Sequence, residues 1–268
     1  MSFASRTLHW LAALCLAVVA ASAAASLSYS FEHSARAYQH SQNALPNVIL
    51  WAWERPEDLR KLDAHRIGVA FLASTVFLSG DTVALRPRLQ PLRVPPGTPL
   101  VAVVRIESRL GAPATLSAAQ RAQTVRAITG AGREPGIGAL QVDFDATSSE
   151  RAFYRELLED LRAQLPARTA LSITALASWC MGDDWIAGLP VDDAVPMLFR
   201  MGADRQRILD YLAEGRDFRP PVCRQSLGIS TDEPLAHLPA GRRLYIFRPR
   251  AWTPAAVKET LEGTQRWK

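Results

Sequence analysis

The stretch Gln141-Val142-Asp143-Phe144-Asp145 sets two carboxylates two residues apart between apolar side chains. In an extended strand that spacing puts Gln141, Asp143 and Asp145 on one side. Two carboxylates so placed repel, so one has a raised pKa and stays protonated unless a cation intervenes. A protonated carboxyl beside a second group suits glycosidic cleavage. The acid protonates the leaving oxygen, and the neighbour stabilises the oxocarbenium-like state or assists the nucleophile. The competing reading is an ion pair of Asp143 with Arg105 or Arg200 that ties strands together, because internal carboxylate and arginine networks also perturb pKa values.

These residues can act together only if the fold brings them to one rim. From Asn47 onward the chain alternates near-continuous apolar runs with helical patterns, as parallel strands covered on both faces do. The runs are Val48–Trp53, Ile67–Phe77, Leu100–Glu107, Ala139–Asp145, Ala170–Ala177, Ala194–Arg200, Gln225–Ser230 and Arg243–Arg248. Helices are predicted to open at Pro56, at a Ser117/Gln120 capping box, at a Thr147/Glu150 capping box and at Thr253-Pro254. The pattern predicts an α/β fold, a (β/α)8 TIM-type barrel with one or two reduced helices, and a doubly wound sheet is the alternative. Thr82 to Arg93, in a proline-rich stretch, reads as a hairpin or irregular excursion, and the connection after the fifth run is short.

A barrel carries its active site at the C-terminal ends of its strands. Those ends supply Trp53, Glu54, Arg105, Glu107, Asp143, Asp145, Trp179, Arg200, Asp232, Glu233, Arg248, Arg250 and Trp252. Indoles and carboxylates at one rim suit sugar rings, whose apolar faces stack on aromatics while their hydroxyls seek charged partners. On this reading Asp145 is the general acid, Asp143 the orienting or assisting carboxylate, and Glu107 or Glu233 the second catalytic group. Trp53, Trp179 and Trp252 are the sugar platforms, and Glu54, Arg105, Arg200, Asp232 and Arg248 complete the carbohydrate-binding set. The rim arginines also suit an acidic ligand such as a uronate or a phosphate-bearing glycan.

Other chemistries lack their residues. Gly130, Gly132, Gly136 and Gly138 precede a strand, the wrong side for a phosphate loop. Only His237 among the histidines falls near a strand end, and no paired CxxC exists, so neither a metal nor a cofactor is expected. Ser178 and Ser230 lack the Gly-x-Ser-x-Gly context of a serine nucleophile. The formal charge of +5 is spread over scattered arginines with no basic run, which argues against nucleic acid as a partner.

Near the N-terminus, Arg6 and His9 precede an apolar stretch from Trp10 to about Ala21, followed by Ser22, Ala23, Ala24 and Ala25. This is the layout of a secretory signal peptide, with an apolar core well short of the roughly 20 residues a spanning helix needs. The predicted plan is a signal peptide at 1–25, a linker at 26–46 and one barrel domain at 47–268. It implies an exported protein, periplasmic or extracellular, touching membrane only through the signal or through that segment kept as an uncleaved anchor. Once the signal is removed, Cys180 and Cys223 remain in an oxidising space, either as a disulfide or as two separate buried thiols.

Gly138 to Asp145 and the helix Tyr154 to Arg162 resemble the fourth strand and helix of chitinase-like glycoside hydrolases. That resemblance implies that Asp143 holds the assisting position and Asp145 the acid position, with Asp in place of the family's Glu and Gln141 in place of an Asp. Pro196 to Arg200 is similar to the family's Met-x-Tyr-Asp, with Phe199 and Arg200 replacing Tyr and Asp. The segments Ser172 to Cys180, Val195 to Gly202 and Gly228 to Pro234 resemble an exported bacterial barrel family of unknown function. The resemblance implies a glycosidase-type barrel. The expected function is thus a glycoside-hydrolase-like barrel acting on an envelope or extracellular glycan. The alternatives are a catalytically degenerate glycan-binding barrel and an envelope interaction protein.

Overall fold

A computed structural model describes residues 45–133, 136–166 and 168–264. The signal segment and the linker through residue 44 lie outside the described residues. In chain order the strands are β1 (Val48–Ala52), β2 (Glu57–Asp58), β3 (Ile67–Ser79), β4 (Thr82–Pro87), β5 (Leu92–Arg93), β6 (Leu100–Glu107), β7 (Ile137–Asp143), β8 (Ala170–Leu176), β9 (Asp193–Met197), β10 (Ser226–Ser230) and β11 (Arg243–Phe247). The helices are α1 (Ala118–Gly132), α2 (Arg151–Gln164), α3 (Ala177–Met181), α4 (Arg205–Ala213) and α5 (Pro254–Thr264). β1, β3 and β6 through β11 form a wall of parallel neighbours. β1 pairs with both β11 and β3, which closes the ring. Each of the eight apolar runs supplies one wall strand, so the fold is a (β/α)8 TIM-type barrel.

Alternation along the strands sorts their side chains into two apolar clusters. Ile49, Trp51, Ala70, Val101, Val103, Ala139, Ala170, Val195 and Tyr245 fill the lumen. Leu50, Val69, Val104, Leu140, Val142, Ile173, Leu227 and Ile246 face outward under the helices. Leu157, Leu158 and Leu161 of α2 close over that outer layer, all fully buried. Each such leucine or isoleucine stabilises the fold by about 1.5–3 kcal/mol. Inside the wall, the Trp51 indole crosses towards β10, where Gly228 leaves it room. A Cβ at Gly228 would lie 3.2 Å from Trp51 Cη2.

Full helices follow β6, β7, β9 and β11, while α3 has five residues, and no α-helix follows β1, β3 or β10 among the described residues. The predicted hairpin is present: β4 runs antiparallel to the upper half of β3. Gln120, fully buried in α1, braces the turn of that hairpin by donating to the carbonyls of Gly80 and Thr82, both at 3.0 Å. Ser117 caps α1 as expected, accepting from Gln120 N at 3.2 Å. The Gln120 carbonyl, however, reaches back to Leu116 N and not to the cap residue. The Thr147/Glu150 box is formed, and Thr253 accepts from Ala256 N at the start of α5.

The helix predicted to open at Pro56 does not form. Glu57 and Asp58 make a short strand with Leu92 and Arg93 instead. Glu57 turns its side chain inward to accept from Trp252 N at 2.8 Å, and this buried contact overrides the helix signal of the proline. No helix of the described residues is long and apolar enough to cross a membrane.

Cys180 of α3 and Cys223, in the turn before β10, are disulfide-bonded across 43 residues of sequence. A bridge closing a loop of this size stabilises by about 2–4 kcal/mol through the unfolded chain. It fits an oxidising compartment.

The floor of the lumen holds Asp193, fully buried, whose Oδ2 accepts from Ser226 Oγ at 2.6 Å while Oδ1 has no partner among the described residues. Burial raises its pKa to about 6, against the pull of Ser226 and Arg243 and with a small push from Asp192. Its folded pKa lies above the unfolded value, so the folded state binds the extra proton, and stability falls as pH rises from about 4 to about 6. Asp193→Asn is expected to remove that loss. Urea denaturation at pH 7 should find the variant more stable by about 1–3 kcal/mol, and at pH 4 the gain should vanish. A variant less stable than the parent at pH 7 would contradict this.

Candidate functional site

A pocket of about 310 Å3 opens at the C-terminal ends of the wall strands. Its walls are aromatic. Trp51 and Trp53 come from the end of β1, Phe199 from the loop after β9 and Phe247 from β11. Phe199 and Phe247 stack in parallel with ring centroids 5.5 Å apart, and Trp53 meets Phe247 edge-on at 6.4 Å. Trp51 is fixed below them by its indole N–H, which donates to Gln141 Oε1 at 3.2 Å, and Gln141 in turn donates to Ser172 Oγ. Gln141 is thus a positioning residue beneath the pocket.

Asp143 and Asp145 both line this pocket, as their same-side spacing predicts. Asp143 is the last residue of β7 and is 5% exposed. Both its oxygens are engaged: Arg105 Nη1 stands 3.0 Å from Oδ2, and Thr174 Oγ1 donates to Oδ1 at 2.7 Å. Strand register dictates the arginine contact, since Arg105 lies beside Asp143 in the β6–β7 ladder. Burial pushes the Asp143 carboxyl above its ordinary value, and Asp145 adds to the rise, while Arg105 and Thr174 pull it down. Asp145 is half-buried just beyond the strand, and its backbone carbonyl accepts from Arg109 at 2.7 Å. The pair therefore combines an enclosed, doubly held carboxylate with a second one at the mouth.

Other predicted site residues divide between this pocket and the rest of the rim. Trp53, Arg105 and Arg200 line it. Glu107 pairs with Arg105, and Glu233 pairs with Arg200 and Arg205; neither lines the pocket. Asp232 stands 2.9 Å from Arg200. Glu54 is exposed and paired with Arg86 at 2.6 Å. Trp179 and Trp252, each 4% exposed, belong to the outer core. Trp179 packs edge-on against Trp185 at 4.9 Å, and the Trp252 indole donates to Trp51 O at 2.9 Å. Both follow strand ends in sequence, but their rings turn to the outside of the wall. Arg248 lies over Trp252 in a groove beside α5, away from the pocket.

Several contributors were not anticipated. Thr174 shares the parity of Ser172 on β8 and so points into the lumen, a signal readable from alternation. Arg88, from the excursion after β4, donates to the carbonyls of Ala52, Trp53 and Arg55 and fixes the chain where Trp53 emerges. Nothing local in the sequence marks that role. Among the described residues no group of three or more His, Cys, Asp or Glu side chains is placed to hold a metal ion.

Fold and pocket together define a parallel barrel with an acidic, arginine-braced, aromatic-walled site at its C-terminal rim. Residues 96–210 match the profile of a family described as a domain of unknown function, DUF3142. This segment runs from the approach to β6 into α4 and carries Arg105, Asp143, Asp145, Thr174 and Arg200. Among solved structures the chain is similar to the spore cortex-lytic enzyme SleL of Bacillus cereus, at 14% identity and a TM-score of 0.45. That likeness covers 68% of this chain and 50% of the other, so the chain spans about half the length of that enzyme. No curated protein matches the chain significantly.

Proposed function

We propose that the barrel acts on an envelope or extracellular glycan, with Asp145 as general acid and Asp143 as the assisting carboxylate. The reading is carried by one arrangement: two carboxylates of unequal burial open onto one aromatic-walled pocket at the catalytic rim of the barrel. A sugar ring lying on Trp53 and Phe247 brings its glycosidic oxygen towards the mouth, where Asp145 gives up its proton as the C–O bond breaks. Asp143, oriented by Arg105 and Thr174, faces the positive charge that develops on the ring. Water then adds to the anomeric carbon, and its proton returns to Asp145. Asp143 serves as the second catalytic group in place of Glu107 or Glu233, since neither of those meets the pocket. An exported location, with a signal at 1–25, a linker at 26–46 and the barrel from 47, accompanies this reading and draws support from the disulfide.

A glycan-binding barrel without turnover is the second reading. It is favoured by the engagement of both Asp143 oxygens with protein partners. The two readings share the aromatic platform, so Trp53→Ala tests both against a purely structural rim. Isothermal titration with a bound oligosaccharide should find affinity weakened by about 3- to 10-fold, the contribution of one stacked aromatic. Unchanged affinity would remove the stacking role.

A further inference from the structure

The two arginines of the pocket are built alike. Arg105 is gripped by Glu107 and Asp143 and lies against the Trp53 ring at 6.0 Å. Arg200 is gripped by Glu233 and, at 2.9 Å, by Asp232, and lies against the Phe199 ring at 6.0 Å. A guanidinium carries five N–H donors in a rigid fork. In each case two are taken by carboxylates, and the other three have no partner among the described residues. The two sites differ in access. Asp143 is enclosed, whereas the Arg200 side chain is 51% and that of Asp232 40% exposed.

Arg200 also holds a backbone conformation that L side chains rarely adopt, with φ at +54°. Its N–H donates to the Glu233 carboxylate at 3.2 Å, and Arg205 grips the same carboxylate at 2.8 Å. Glu233 therefore stays in place and anchors Arg200 at the lip of the pocket. Among the side chains of the described residues, Asp232 is held by Arg200 and Ser230, in the open.

Resting on the glycan reading above, we propose that the ligand is an acidic glycan, and that Arg200 receives the carboxylate of a uronate-type sugar while its ring lies on the aromatic wall. Asp232 occupies the receiving position in the free protein, and a ligand carboxylate displaces it. A planar carboxylate matches the guanidinium fork, and an exposed ion pair yields at little cost. Neutral hydroxyls would gain less from a cation fixed in this way.

The test is a glycan array of acidic oligosaccharides, each paired with its carboxyl-reduced neutral counterpart and with sulfate-ester analogues, probed with the protein and two variants. A uronate-bearing member should bind about tenfold or more tightly than its reduced partner, as a charged hydrogen-bonded contact gives. Arg200→Gln should erase that preference, so that within this variant the acidic member binds no more tightly than its reduced partner. Asp232→Asn should strengthen binding of the acidic member, because it removes the competing carboxylate; a merely structural ion pair would weaken it or leave it unchanged. Equal or tighter binding of the reduced partners would overturn the proposal and leave the glycan reading standing. Preference for sulfate esters over carboxylates would also overturn it. Absence of binding to every member would overturn both.

Discussion

Asp145→Asn should fold like the parent and turn over its glycan about 100- to 10,000-fold more slowly, the loss expected when a general acid is removed. Asn keeps the size and hydrogen-bonding shape of the side chain but has no proton to give a leaving alkoxide. The loop should hold its place, because Arg109 anchors residue 145 through the backbone carbonyl and not through the carboxylate. Binding should persist for the same reason, since the aromatic walls and Arg105 are untouched. Initial rates and affinities measured side by side separate the two effects. A parental rate in this variant would move the acid elsewhere.

Arg105→Met has the second large effect, and it falls on stability. Asp143 is 5% exposed, and Arg105 supplies the only cation in direct contact with it among the described residues. Removing one partner of a buried pair typically costs about 3–5 kcal/mol, and the lower end applies here because a third of the Arg105 side chain is exposed. The cost should depend on pH. Burial already raises the Asp143 pKa in the folded protein, and without Arg105 it rises further. A folded pKa above the unfolded one means that stability is lost as pH rises, so the deficit should be largest near pH 8 and shrink on acidification, when Asp143 takes up a proton. Adding Asp143→Asn to Arg105→Met should restore part of the loss at pH 8. Denaturant midpoints across pH measure this. A deficit independent of pH would point to lost packing instead of a stranded charge.

The wall of the barrel was legible in sequence because parallel strands covered on both faces must be apolar nearly throughout, and each such run became a strand. The carboxylate pair was legible for a related reason: strand alternation alone puts Asp143 and Asp145 on one side. Connections were harder to read. Pro56 carries a genuine helix signal, but the buried contact of Glu57 with Trp252 N comes from nearly 200 residues away in sequence and overrides it. The tryptophans divide for the same reason. Trp53, Trp179 and Trp252 all follow strand ends, yet only Trp53 turns to the lumen, while the other two cover the outer wall where helices are short or missing. The stacking of Phe199 on Phe247 depends on the order of the wall, where β9 and β11 both flank β10.

The most direct measurement is mass-spectrometric detection of products after the purified protein is incubated with a panel of oligosaccharides, peptidoglycan fragments and exopolysaccharides, with Asp145→Asn in parallel. Cleavage products are expected from at least one glycan with the parent, and none from the variant, which still binds that glycan. Products formed equally by both proteins, or no product and no binding from a folded parent across the panel, would contradict a glycan-cleaving site built on Asp143 and Asp145.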